Sequence, residues 1–174
     1  MKIIVLLAFA GAASITLAAQ SAVPGASTGA TIKDPVATAL RQMEPRAAKN
    51  LIGAADEMPA DKYNYRPTPQ QMTFAHLMVH VAEANNHLCS SLGGAQPNAP
   101  QLSENDGKEK LAAAVKQSFS YCQEVLAKAD DSKLNTQTEA FLHLATGWAD
   151  HYSMAAMYLR LNDLVPPSAQ KADH

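Results

Sequence analysis

Imidazole is the side chain best able to bind a first-row metal and to move a proton near neutral pH. Six occur in this chain: His76, His80, His87, His143, His151 and His174. His76 and His80 are four apart and His87 follows seven later, so on a helix the three form one stripe. His143 and His151 are eight apart, two turns on a slowly drifting face, with Gly147 midway between them. Metal sites in helical bundles are built from side chains on facing helices, and imidazole suits Zn, Ni, Fe or Cu. Histidines that only hydrogen-bond at the edge of a core produce the same stripes, so spacing alone leaves both readings open. The chain has no G-x-S-x-G, no P-loop, no H-E-x-x-H and no Cys-His nucleophile pair, so no catalytic residue can be named.

Four amphipathic stretches must position these histidines. Asp34-Pro35 has the form of a helix start, an N-cap acceptor before a proline at the first helical position. Val36, Leu40, Met43, Ala47, Leu51 and Ala54 then recur at three and four, predicting helix one to about Met58, with a kink or break at Pro45. The segment Pro59 to Met72 holds three prolines besides its two tyrosines and reads as a loop. Thr73 caps helix two, whose stripe of Phe74, Leu77, Met78, Val81, Ala84 and Leu88 ends at Gly93-Gly94. Helix three is expected from about Asp106 to Ala129, and helix four from after Asn135 or Thr136 until Pro166-Pro167 stops it. An all-α four-helix bundle follows over residues 35–167, with a frayed tail over 168–174.

The connections and the cysteines bear on topology. Gly93 to Glu104 is too long for a tight antiparallel hairpin and long enough, at about 40 Å extended, to run back along a whole helix. Helices two and three could therefore lie parallel. Cys89 and Cys122 both sit toward the ends of their helices, level in a parallel pair and about 15 Å or more apart along the axis in an antiparallel one. A disulfide needs Cα atoms about 5.5 Å apart, so a bridge supports the crossover; buried free thiols are the alternative.

The first residues are an address. Lys2 precedes a nearly unbroken apolar run from Ile3 to Leu17, followed by small residues to Ala22, which reads as a secretory signal peptide over 1–22. A spanning helix needs about 20 apolar residues, and this run turns polar at Gln20, so no stable membrane anchor is expected after cleavage. Residues 23–34 are Gly, Ser, Ala and Pro-rich and read as a flexible linker. The expected product is periplasmic, where a disulfide is permitted. The 174-residue precursor carries 14 basic and 16 acidic residues, and loss of Lys2 makes the mature chain more acidic still. Without a basic excess, nucleic acid is excluded as a partner.

Beyond periodicity, Lys62-Tyr63-Asn64-Tyr65-Arg66-Pro67-Thr68-Pro69, Thr73-Phe74 leading to His80-Val81-Ala82, Asp150-His151-Tyr152, and Tyr158 to Asn162 with Val165-Pro166-Pro167 resemble the DinB-like superfamily. The resemblance covers roughly residues 36–167. It implies an up-down-down-up bundle with a long crossover between helices two and three. It implies a divalent metal, Zn, Ni or Fe, held by one histidine on helix two and an H-x-x-x-H pair on helix four. His80 matches the first position and His151 the last. The middle position is Gly147, which offers no donor; His143, about 6 Å further along the axis, Glu83 and Asp150 are the substitutes. Relatives of this kind also imply a homodimer.

Two functions remain open. One is an exported metal-dependent hydrolase or transferase with a degraded three-histidine site. The other is a non-catalytic bundle that binds an unknown small molecule or serves structurally, with a vestigial metal site and a pocket opened by Gly147 beside Trp148. Tyr63, Tyr65 and Arg66, with Trp148, are the expected rim, Arg66 offering a planar fork to an anion. Tyrosines covering the bundle end, with Arg66 paired to an acid, are the competing reading.

Overall fold

The computed structural model describes residues 31–170. The expected signal peptide, the expected linker up to residue 30 and residues 171–174 of the expected tail lie outside the described residues. Four helices follow one another: α1 (Pro35–Glu57), α2 (Phe74–Ser91), α3 (Lys108–Leu126) and α4 (Leu134–Arg160). Short 3-10 turns occupy Ala60–Lys62, Asp131–Lys133 and Pro167–Ala169, and there is no strand among the described residues.

Side-chain pairings set the direction of each helix. Asn85 bonds Ser118 and Cys89 is bridged to Cys122, a step of four residues on both helices, so α2 and α3 run parallel. The disulfide holds Cα atoms 5.3 Å apart, with both cysteines fully buried. Asn85 meets Trp148 while His80 meets His151, so α2 and α4 are antiparallel. Arg41 donates to the Leu126 and Ala129 carbonyls and Lys108 to the Asp56 carbonyl, making α1 antiparallel to α3. Asp131 sits at the start of α1 and Pro167 lies beside Gly53, so α1 and α4 run parallel. The result is the up-down-down-up bundle, with residues 92–107 as the crossover.

The apolar stripes become the core. Leu40, Leu51, Phe74, Leu77, Met78, Leu111, Phe119, Phe141, Leu144 and Leu159 are all buried, at about 1.5–3 kcal/mol for each fully buried large side chain. On α1 Val36, at 37% exposed, and Met43, at 43%, fall outside it, as do Leu142 of the expected fourth stripe and Leu161 at its end, at 57% and 52%. Helix termini follow local chemistry at α2, where the Thr73 hydroxyl accepts the His76 N–H at 3.0 Å and Gly93 takes φ 99° after the last turn.

The start of α1 differs from expectation. Asp34 makes no side-chain cap. The orphan N–H groups of Val36 and Ala37 instead donate to the two carboxylate oxygens of Asp131, at 3.0 and 2.9 Å. Helix α1 continues through Pro45, which lies on its exposed side. Helix α4 begins at Leu134, earlier than expected, because Asp130 and the 3-10 turn at Asp131–Lys133 lead straight into it. The expected fraying from residue 168 gives way, up to Gln170, to an ordered turn: Ser168 N–H donates to the Tyr152 hydroxyl at 2.8 Å, and Gln170 bonds Glu57.

Candidate functional site

The antiparallel seating of α2 on α4 brings His80 and His151 level. Their ring centroids are 4.8 Å apart with planes at 85°, edge to face. His80 is exposed and His151 half-buried. Burial, then the neighbouring His80, push the His151 imidazole below its ordinary range, while Asp150 pulls weakly the other way. A neutral imidazole with a free lone pair is the form that ligates a metal.

Gly147 lies one turn before His151. A Cβ placed there would stand 3.5 Å from His151 Cε1 and 3.8 Å from its Nδ1, ordinary contact distances. The middle slot is thus sterically open and directly beside the His151 ring. The three substitutes leave it unfilled. His143 is exposed a further turn away, beside a shallow hollow with Glu139 and Leu142, and Glu83 and Asp150 are exposed. Among the described residues no group of three or more His, Cys, Asp or Glu is arranged to hold a metal ion. Two imidazoles without a third donor do not fit the three-histidine centre that the resemblance implies.

The other helix-two histidines do different work. His76 Nδ1 lies 3.4 Å from Glu104, which also accepts the Thr73 hydroxyl at 3.1 Å. That pairing ties the crossover to the start of α2. His87 is exposed, and its carbonyl accepts the hydroxyls of Ser90 and Ser91.

The expected rim does not assemble. Tyr63 is buried, its hydroxyl donating to the Ala55 carbonyl at 2.7 Å and its ring edge-on to Phe74 at 5.2 Å. Burial raises its phenol well above the ordinary range, so it is a core strut. Tyr65 is half-buried with its ring edge-on to Tyr158 at 6.2 Å, and Arg66 is exposed in the loop beyond it. Trp148 is buried, and its indole N–H donates to Asn85 Oδ1 at 2.8 Å. Asn85 Nδ2 then donates to Ser118 Oγ at 3.1 Å, and that hydroxyl donates to the Val115 carbonyl at 2.8 Å. This buried polar chain links α4, α2 and α3. Sequence reasoning missed Asn85 and Ser118; Asn85 stands four residues after Val81, on the buried face, which was the available signal.

The family model of the DinB superfamily matches residues 45–160. The chain belongs to the DinB superfamily. No curated protein matches the sequence. In this DinB-superfamily bundle the match runs from Pro45 within α1 to Arg160 at the end of α4, so His80, Gly147 and His151 all lie inside it.

Proposed function

We propose that this DinB-superfamily chain is an exported bundle that works by binding, with a degraded metal site and no catalytic metal. The single observation that carries the reading is Gly147. The slot beside His151 has room for a side chain and holds none, and among the described residues no neighbouring carboxylate or imidazole takes its place. A catalytic zinc keeps three protein ligands, and two exposed or half-exposed imidazoles hold a divalent ion only weakly. Export is supported by the Lys2 and Ile3-to-Leu17 pattern and by the Cys89–Cys122 bridge, a bond that oxidising compartments favour. Among the described residues no helix is long and apolar enough to cross a membrane.

The test is metal content. Untagged protein is recovered after zinc or nickel has been supplied, dialysed, and assayed by inductively coupled plasma mass spectrometry. The expected content is far below one equivalent; one retained equivalent rejects the reading. A second reading, a metal-dependent hydrolase or transferase, draws on the 4.8 Å approach of His80 to His151. It requires that retained equivalent, and its loss on His80→Ala.

A further inference from the structure

A second seam of α4, against α1, carries a different site. Between α1 and α4 lies a groove of about 540 Å³, within the range of small-molecule sites. It is open because the facing residues Ala47, Ala145 and Ala149 are too small to close it. Trp148 and Tyr152 of α4 form one wall, and Arg46 and Asn50, four apart on α1, face it.

Two polar side chains in this groove lack partners. Asn50 is only 8% exposed and its amide bonds no other described residue, but no buried side-chain polar atom is left without a partner, so its donor and acceptor open onto the solvent of the groove it lines. Arg46 is exposed on the same face and has no acidic group within ion-pair distance among the described residues. One guanidinium fork beside one neutral amide suits a single planar negative charge, whereas a doubly charged phosphate calls for more donors. The half-buried Tyr152 ring, with the 3%-exposed edge of Trp148 behind it, offers a flat apolar body one aromatic face.

We propose that this groove binds a small monocarboxylic acid with an aromatic body, its carboxylate on Arg46 and a further polar group on Asn50. The inference rests on the binding reading above and names the ligand class. Trp148 is the only tryptophan of the chain, so its fluorescence reports on the wall of the groove directly. The full mature protein is titrated in chelator with 4-hydroxyphenylacetate, and in parallel with the neutral 4-hydroxyphenylacetamide. Saturable binding of the acid is expected with a dissociation constant on the order of 0.1–1 mM, typical of a fragment-sized ligand. The amide, and the acid against Arg46→Gln or Asn50→Ala, should each bind at least fivefold more weakly, while Arg66→Gln binds the acid as the parent does. Absence of saturation by the folded protein, or a loss below fivefold for the amide or for Arg46→Gln, overturns the proposal. So does a dimer in sedimentation that Arg46→Gln dissociates, because the groove is then an interface between copies. Chelator removes any role for the His80–His151 pair, so a failure here leaves the metal-content result standing on its own.

Discussion

Replacing Gly147 by histidine restores the missing donor and tests the degraded-site reasoning. The space exists: a Cβ at 147 meets only the His151 ring, at 3.5 Å and beyond. Glycine is also the poorer helix former, so without metal the exchange should be neutral or stabilising by about 0.3–0.5 kcal/mol. Losing a mere outer-sphere partner of a metal ligand costs about 10–100-fold in affinity, so adding a direct ligand should gain at least about 100-fold. At a zinc concentration about 100 times the variant's dissociation constant, binding stabilises the variant by about 2.7 kcal/mol. The parent, at a concentration then equal to its own constant, gains only about 0.4 kcal/mol. For a domain of this size the two values correspond to melting shifts of roughly 10 °C and 1–2 °C. Circular dichroism melts with and without zinc read both, and His80→Ala in the Gly147→His background should remove the larger shift. Equal shifts in parent and variant, or no shift in a variant that keeps its helical spectrum, refute the geometry.

Other consequences follow from the packing. The Cys89–Cys122 bridge closes a loop of sequence separation 33, so the double alanine variant should lose about 3–4 kcal/mol in denaturant unfolding, and the parent should show no free thiol by mass spectrometry. Asn85→Leu strands the buried Trp148 N–H, leaves Ser118 Oγ with its bond to the Val115 carbonyl but without its donor, and should cost about 1–3 kcal/mol; a loss under about 0.5 kcal/mol would mean that the polar chain contributes little. Asp131→Ala removes the acceptor of two α1 N–H groups and should cost about 1–2 kcal/mol although the residue is remote in sequence. Glu44 is buried on α1, and desolvation raises its carboxyl above the usual value. A raised folded value means that the native state holds the proton more tightly, so stability falls as pH rises from the unfolded value through the folded one. Glu44→Gln should therefore stabilise by on the order of 0.5–1 kcal/mol at pH 7, with the gain vanishing below about pH 4, as melts across pH would show.

What was legible in the sequence was what neighbours in sequence decide. The stripes of α2 and α3 are local periodicities, and the Thr73 cap acts within one turn. The parallel seating of α2 on α3 was readable because a long link and two cysteines each constrain the same distance. The cap of α1 was not, since Asp131 reaches it from 95 residues away and Asp34 beside it has the same chemistry. Tyr63 misled because tyrosine serves equally at a wet rim and in a core with its hydroxyl bonded, and only the Ala55 carbonyl distinguishes the two. At position 147 the sequence alone shows that no side-chain donor is available, because glycine can supply no ligand whatever the fold.

The groove was illegible for a further reason: Arg46 and Asn50 face Trp148 only once α1 and α4 lie parallel, a relation between the first and last helices that no short motif encodes. The same helix α4 then serves two seams. Residues 147 and 151 look toward His80, and residues 145, 148 and 152 line the α1 groove, roughly a third of a turn round the axis. Trp148 belongs to both structures, since its ring walls the groove while its N–H is held by Asn85 of α2. That bond fixes the ring from behind without touching either His80 or His151. A substitution at Gly147 should therefore leave the groove's wall in place, and a ligand there would meet a preorganised surface whether or not a metal binds beside His151.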